Sequence, residues 1–176
     1  MDKKNVTKEL KPKFFDSASN IIKVSVAAAV ILIMIAILMF TESRSGRFIV
    51  KNHTDLKLEY VSAGFVDTDG AISDVVKLDN INAKKTNKVA IEPVNLWNSN
   101  ANCEVRIKFE GHNELLVDTG TFNDKFEGNI KVTLEKTGDD NLVKLKIKAA
   151  NGLLSTKLID CNEIFTINLS KGEIYQ

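Results

Sequence analysis

Between Val24 and Phe40 the chain runs for 17 residues without a charge, and the apolar stretch reaches back to Ile21. As an α-helix rising about 1.5 Å per residue, residues 21–40 cover roughly 30 Å, the thickness of a bilayer's hydrocarbon core. A helix satisfies its own backbone hydrogen bonds, so it can stand in lipid where irregular chain cannot. The stretch reads as one transmembrane helix. It divides the chain into a basic tail over 1–20, the span over 21–40, a polar spacer over 41–46 and a domain over 47–176. Lys23 lies one turn inside the run, and its long stem lets the ammonium reach back to the headgroups.

A cleaved signal peptide carries a shorter apolar region, about 7–15 residues, followed by small residues at the cleavage site. Here the run ends in Leu38-Met39-Phe40, the Ala27-Ala28-Ala29 cluster comes too early, and no cysteine follows to take a lipid. The segment therefore reads as an uncleaved signal anchor. Lys3, Lys4, Lys8, Lys11, Lys13 and Lys23 precede or open it, while only Arg44, Arg47 and Lys51 follow closely. The positive-inside bias puts the N-terminus in the cytoplasm and the large domain outside, as a single-pass cell-membrane protein. Asp16, Ser17, Ser19 and Asn20 are helix-capping residue types, and Phe14 and Phe15 suit the headgroup level. Ser25 and Ala29 form a small-xxx-small pair through which a second copy could approach.

The net charge of +1 hides an asymmetry: residues 1–23 carry net +3, and residues 41–176 carry 18 basic against 20 acidic side chains. A domain of net −2 argues against nucleic acid as a partner, because arrays of phosphate favour basic domains.

Beyond residue 46 the apolar period changes to two. Phe48 and Val50 alternate with polar neighbours, as do Leu56, Leu58 and Tyr60. Cys103, Val105, Ile107 and Phe109 alternate most clearly, followed by Ile130, Val132 and Leu134, then Val143, Leu145 and Ile147. Asp69-Gly70, Thr137 to Asn141 and Asn151-Gly152 mark turns, and Pro93 suits a strand end. The polar run Lys77 to Lys88 reads as a loop. Short strands and regular turns, with no amphipathic helix after residue 41, predict an antiparallel β-sandwich. Lys144, Lys146 and Lys148 on one face read as protection of a sheet edge. Phe109-Glu110-Gly111 and Phe126-Glu127-Gly128 repeat a tripeptide whose glycines suit strand ends. An Asn-x-Thr after the first strand, two apolar strands and an Asp-Gly hairpin resemble bacterial immunoglobulin-like envelope modules.

Candidate chemistry is sparse. Leu115-Leu116-Val117-Asp118-Thr119-Gly120 reads first as a strand ending in a turn. The same six residues resemble the active-site strand of aspartic proteases, a resemblance that implies a dimeric enzyme with Asp118 catalytic. Thr121 departs from that family's usual Ala or Ser, and its later apolar-apolar-Gly element is missing. Asp67, Asp69 and Asp74 suggest a calcium loop, but the spacing lacks the glutamate such a loop needs. His53 and His112 stand alone in the sequence, so no metal or cofactor is expected. Asn52-His53-Thr54 and Asn168-Leu169-Ser170 fit glycosylation acceptors. Trp97, set among Asn95, Asn98, Asn100 and Asn102, reads as a plug at the end of the sandwich or as a stacking platform for sugar. Cys103 and Cys161 are candidates for a disulfide in an oxidising compartment; reduced, they would act as small core residues.

No catalytic constellation emerges. The expected function is that of a non-enzymatic, membrane-anchored protein whose extracytoplasmic domain binds another protein in a cell-envelope assembly. A cell-wall or glycan-binding module using Trp97 is the alternative.

Overall fold

The computed structural model describes residues 18–42, 46–139, 141–151 and 160–176. The chain divides into two compact units, Met1–Phe40 and Thr41–Gln176. In the first, helix α1 runs Ala18–Glu42. Its window Asn20–Ile37 has a mean hydropathy of 2.5, long and apolar enough to span a membrane. The helix begins before the apolar run does, so Ser19 and Asn20 lie inside it and do not cap it. Asp16, Ser17, Phe14 and Phe15 fall outside the described residues.

The second unit is almost wholly β. Its strands are β1 Gly46–His53, β2 Leu58–Asp67, β3 Gly70–Ala71, β4 Val76–Ile81, β5 Thr86–Ile91, β6 Ala101–Phe109, β7 Glu114–Phe122, β8 Asn129–Lys136, β9 Leu142–Ala150, β10 Asp160–Asn168 and β11 Glu173–Tyr175. One sheet has the order β11-β10-β9-β8-β1-β5; the other has the order β3-β2-β6-β7, with β4 also paired to β2. All neighbours are antiparallel except β1 and β8, which run parallel in the register Phe48↔Ile130 to His53↔Glu135. The first strand of the domain is thus an interior strand, held between β8 and β5.

The alternation of period two explains the layers. Phe48 and Val50 of β1, Val105, Ile107 and Phe109 of β6, and Leu145 and Ile147 of β9 point into one core shared by both sheets, and all are fully buried. Phe65 of β2, Phe122 of β7 and Phe126 meet there edge-on or tilted, with ring centroids 4.9–5.7 Å apart. Such geometry sets the positive ring edge against a negative ring face. Gly128 lies where two backbones converge. A Cβ there would stand 1.9 Å from the carbonyl oxygen of Ala150, so the position admits only glycine. Gly111, at φ +77°, turns the chain between β6 and β7, so both repeated tripeptides end at strand boundaries as expected.

Three expectations are corrected. The polar run from Lys77 to Lys88 is not a loop, because it supplies most of β4 and opens β5. Both are edge strands, wet on most sides, so no apolar alternation betrays them. Second, Asp118-Thr119-Gly120 does not end a strand. β7 continues through it to Phe122, and Gly120 at φ +66° absorbs a register shift opposite Ala101 and Cys103. Third, Lys144, Lys146 and Lys148 guard no edge, since β9 lies between β8 and β10.

Candidate functional site

The segment from Glu92 to Asn100 leaves β5 and climbs toward β6. Val94 is tied to Phe126 by two backbone hydrogen bonds, Val94 N–H to the Phe126 carbonyl at 2.9 Å and Phe126 N–H to the Val94 carbonyl at 2.8 Å. Leu96 is buried in the core. The Asn95 side-chain carbonyl accepts the Trp97 N–H at 3.2 Å. The Ser99 hydroxyl donates to the Leu96 carbonyl at 2.7 Å. Asn98 takes a left-handed conformation at φ +62°, one that asparagine tolerates better than most residues. With Leu96 pointing in, the next side chain must point out, and Trp97 is 64% exposed. The expectation that Trp97 plugs the sandwich is therefore overturned. Its indole stands in solvent on a loop whose backbone is held at several points.

Beside this loop lies a groove of about 510 Å³, whose walls include Gly64, Ile72, Val75, Ile91, Val94 and Asn95. It opens between the β3–β4 edge of one sheet and the β5 edge of the other. Ser73 shapes its far wall: its hydroxyl accepts the Phe65 N–H at 2.8 Å, while the Ile72 N–H bonds the Phe65 carbonyl at 2.8 Å. Those bonds interrupt the β2 pairing after Ala71 and leave Val75 62% exposed. Val75 and Trp97 are thus two large apolar side chains in water on segments that border one groove. Of Trp97, Asn95, Asn98 and Asn100, the candidate binding residues of this loop, Asn95 and Asn98 are accounted for by the loop's own conformation. Trp97 and Asn100 remain exposed and unspent.

Asp118 sits elsewhere. It is the cross-strand partner of Glu104 on the outer face of β7, and with Thr121, Asn162 and Glu163 it lines an open polar depression of about 610 Å³. Glu163 accepts the Gly120 N–H at 3.1 Å. The Asp67 carboxylate accepts the Asp69 N–H at 2.8 Å, a turn-forming bond. No group of three or more His, Cys, Asp or Glu side chains converges among the described residues.

Cys103 and Cys161 are both buried thiols with no S–S bond between them in this structure. They come from opposite sheets. Thr119, directly across from Cys103, donates its hydroxyl to the Cys161 sulfur at 3.7 Å. Burial pushes the Cys103 thiol well above the usual range, and the neighbouring Cys161 adds to the shift. The thiol ionises more readily when the chain is unfolded. Its contribution to stability is therefore complete below the ordinary cysteine range near pH 8.5 and is lost as pH rises beyond it. A thiol reagent at neutral pH is expected to leave Cys103 unmodified until denaturant is added, and the denaturant midpoint should fall as the buffer is taken above about pH 9. Rapid labelling of the native protein would contradict this burial.

Asn52 does not serve as a glycan acceptor in the folded domain. It is fully buried, and its amide nitrogen donates to the carbonyls of Leu56 at 2.7 Å and Asn82 at 3.2 Å. Its side-chain carbonyl accepts the Thr54 N–H at 3.1 Å and the Thr54 hydroxyl at 2.7 Å. Every polar atom of the amide group is engaged, which ties the end of β1 to the turn between β4 and β5.

Comparison of the chain with known protein families, curated proteins and solved structures gives no match.

Proposed function

We propose that this chain is a non-enzymatic, single-pass membrane protein whose β-sandwich domain lies outside the cytoplasm and binds another protein of the cell envelope. The anchoring rests on α1 and the orientation on the lysine bias around it. The observation that carries the binding role is Trp97, exposed on a fixed loop beside an apolar groove. Tryptophan is enriched among residues that dominate protein interfaces, because a rigid aromatic buries a large area at little entropic cost. Val75, on the facing wall, supplies a second apolar contact. The groove also runs along the free edge of β5, where an extended segment of a partner could add backbone hydrogen bonds.

In-cell crosslinking followed by detergent extraction tests this reading. The wild-type chain is expected to recover a defined protein partner, and Trp97→Ala to weaken capture by about 30-fold or more, the cost of losing an interface anchor of roughly 2 kcal/mol. Unchanged capture by Trp97→Ala would remove the groove from the interface. The exposure of Trp97 also favours a second reading, a wall- or glycan-binding module in which the indole stacks on sugar. That reading expects the chain to sediment with purified cell wall in the absence of any protein, and expects Trp97→Ala to release it.

A further inference from the structure

The outer faces of the two sheets differ in charge. On the β2-β6-β7 sheet with its β4 edge, Arg106 pairs with Glu104 at 2.7 Å and Glu114 at 3.1 Å, and Lys77 pairs with Asp79 at 2.8 Å, while Asp118 stands across from Glu104. The outer face of the six-stranded sheet carries Lys88 on β5, Lys51 on β1, Lys131 on β8, and Lys144, Lys146 and Lys148 on β9. Among the described residues none of these six is in an ion pair, and the carboxylate-bearing positions that the register puts on that face are Glu135, Asp160 and Glu173. The strands are neighbours in the order β5-β1-β8-β9, so the lysines gather across roughly 14 Å of sheet. Lys131 and Lys148 are direct cross-strand partners, a like-charge juxtaposition that weakens a sheet. The domain's net charge of −2 conceals this concentration.

We infer that this basic face docks on the surface of an anionic lipid bilayer. Charge complementarity selects an anionic partner. Two further features select a lipid surface over a dissolved polyanion. Ile164 and Tyr175, each 46% exposed, stand among or beside the lysines on the same face, and an apolar or amphipathic side chain gains from the headgroup region. In addition, only residues 43–45 separate α1 from β1, a strand of this same sheet. The inference rests on the proposed anchoring of α1, because so short a connection limits the chain reach from the end of α1 to the start of β1 to about 15 Å, which lets this sheet come within a Debye length of the headgroups. The register keeps all six lysines on one side of four adjacent strands.

The test uses the full chain reconstituted into vesicles of phosphatidylcholine alone, or with about 30% phosphatidylglycerol to supply the surface potential. After flotation, lysines are acetylated with a water-soluble reagent and each site is followed by mass spectrometry. In the anionic vesicles, Lys51, Lys88, Lys131, Lys144, Lys146 and Lys148 are expected to react about three-fold or more slowly than in the neutral ones, since the surface potential alone raises local proton activity by that factor. Lys57, Lys77 and Lys125, off this face, serve as internal references and are expected to keep their rates. Salt at about 0.5 M should abolish the difference. Equal rates in both vesicles, or slowing shared by the reference lysines, would overturn the docking while leaving the anchor intact. Protection by soluble polyphosphate on neutral vesicles equal to that from anionic lipid would also overturn it in favour of a polymeric anion. A chain that floats with neither vesicle refutes the anchor and the docking together. Flotation with anionic vesicles alone refutes the anchor and with it the docking, since the basic tail over 1–20 is enough to attach the chain to anionic lipid.

Discussion

Phe65→Ala is expected to lower the stability of the β domain by about 3–5 kcal/mol, the range for deleting a buried aromatic ring. Phe65 is 2% exposed and touches two other rings, so the cavity would open at the centre of the Phe65–Phe122–Phe126 cluster. All three rings sit on backbone fixed by β2, β7 and the Val94–Phe126 bridge, which limits collapse into the void. A domain of this size holds only about 5–15 kcal/mol in total, so the variant should melt near physiological temperature. Urea unfolding followed by circular dichroism, on the full chain in detergent, is the measurement. Leu116→Ala serves as the control: Leu116 is 48% exposed on the outer face of β7, and its loss should stay within about 0.5 kcal/mol. Similar midpoints for the two variants would contradict the shared core.

The second large effect is expected at Asn52, where polarity and not volume is at stake. Asn52→Ala leaves the carbonyls of Leu56 and Asn82 without their amide donor and the Thr54 N–H without its acceptor. The Thr54 N–H is buried and its orphaning costs about 1–3 kcal/mol, while the two carbonyls are only part-buried and add less, so a loss of roughly 2–3 kcal/mol is expected. Asn52→Asp separates this explanation from simple packing loss. The aspartate keeps the shape and the acceptor but, once ionised, sets a buried charge against two carbonyl oxygens. Its carboxyl is expected to titrate well above the ordinary range. The sign follows from that: the variant keeps its stability below about pH 4, where the unfolded carboxyl is also protonated, and loses it as pH rises. The wild-type chain should show no matching loss over the same interval. Equal pH profiles for the two chains would mean that the amide nitrogen makes no essential bond.

Legibility in the sequence followed locality. The apolar helix was plain because nothing but length and charge is needed to recognise it, although its ends at Ala18 and Glu42 were not. Strands β6, β8 and β9 showed themselves through alternation, since each buries one face and wets the other. β4 was hidden because an edge strand with both faces largely in water has no period to display. Asp118-Thr119-Gly120 carried the composition of a turn, and only the pairing of β7 with β6 shows that Gly120 is a bulge within a strand. Trp97 was misjudged by residue type. What decided its exposure was its neighbour Leu96, which takes the inward position. The triple lysine of β9 was visible as a row, yet its meaning was not, because Lys51, Lys88 and Lys131 join it through a sheet order that mixes distant parts of the chain.

That sheet order has a consequence for the growing polypeptide. β1 leaves the ribosome first among the strands, but its parallel partner begins more than 80 positions later, Phe48 lying against Ile130. At about 5–20 residues per second, the earliest strand waits roughly 4–16 s before its neighbour exists. Until then it can pair only with β5, and its apolar side chains stay open to any other chain that passes. The domain is therefore expected to acquire protease resistance in one late step after β8 emerges, and nascent chains truncated before Asn129 should remain fully digestible.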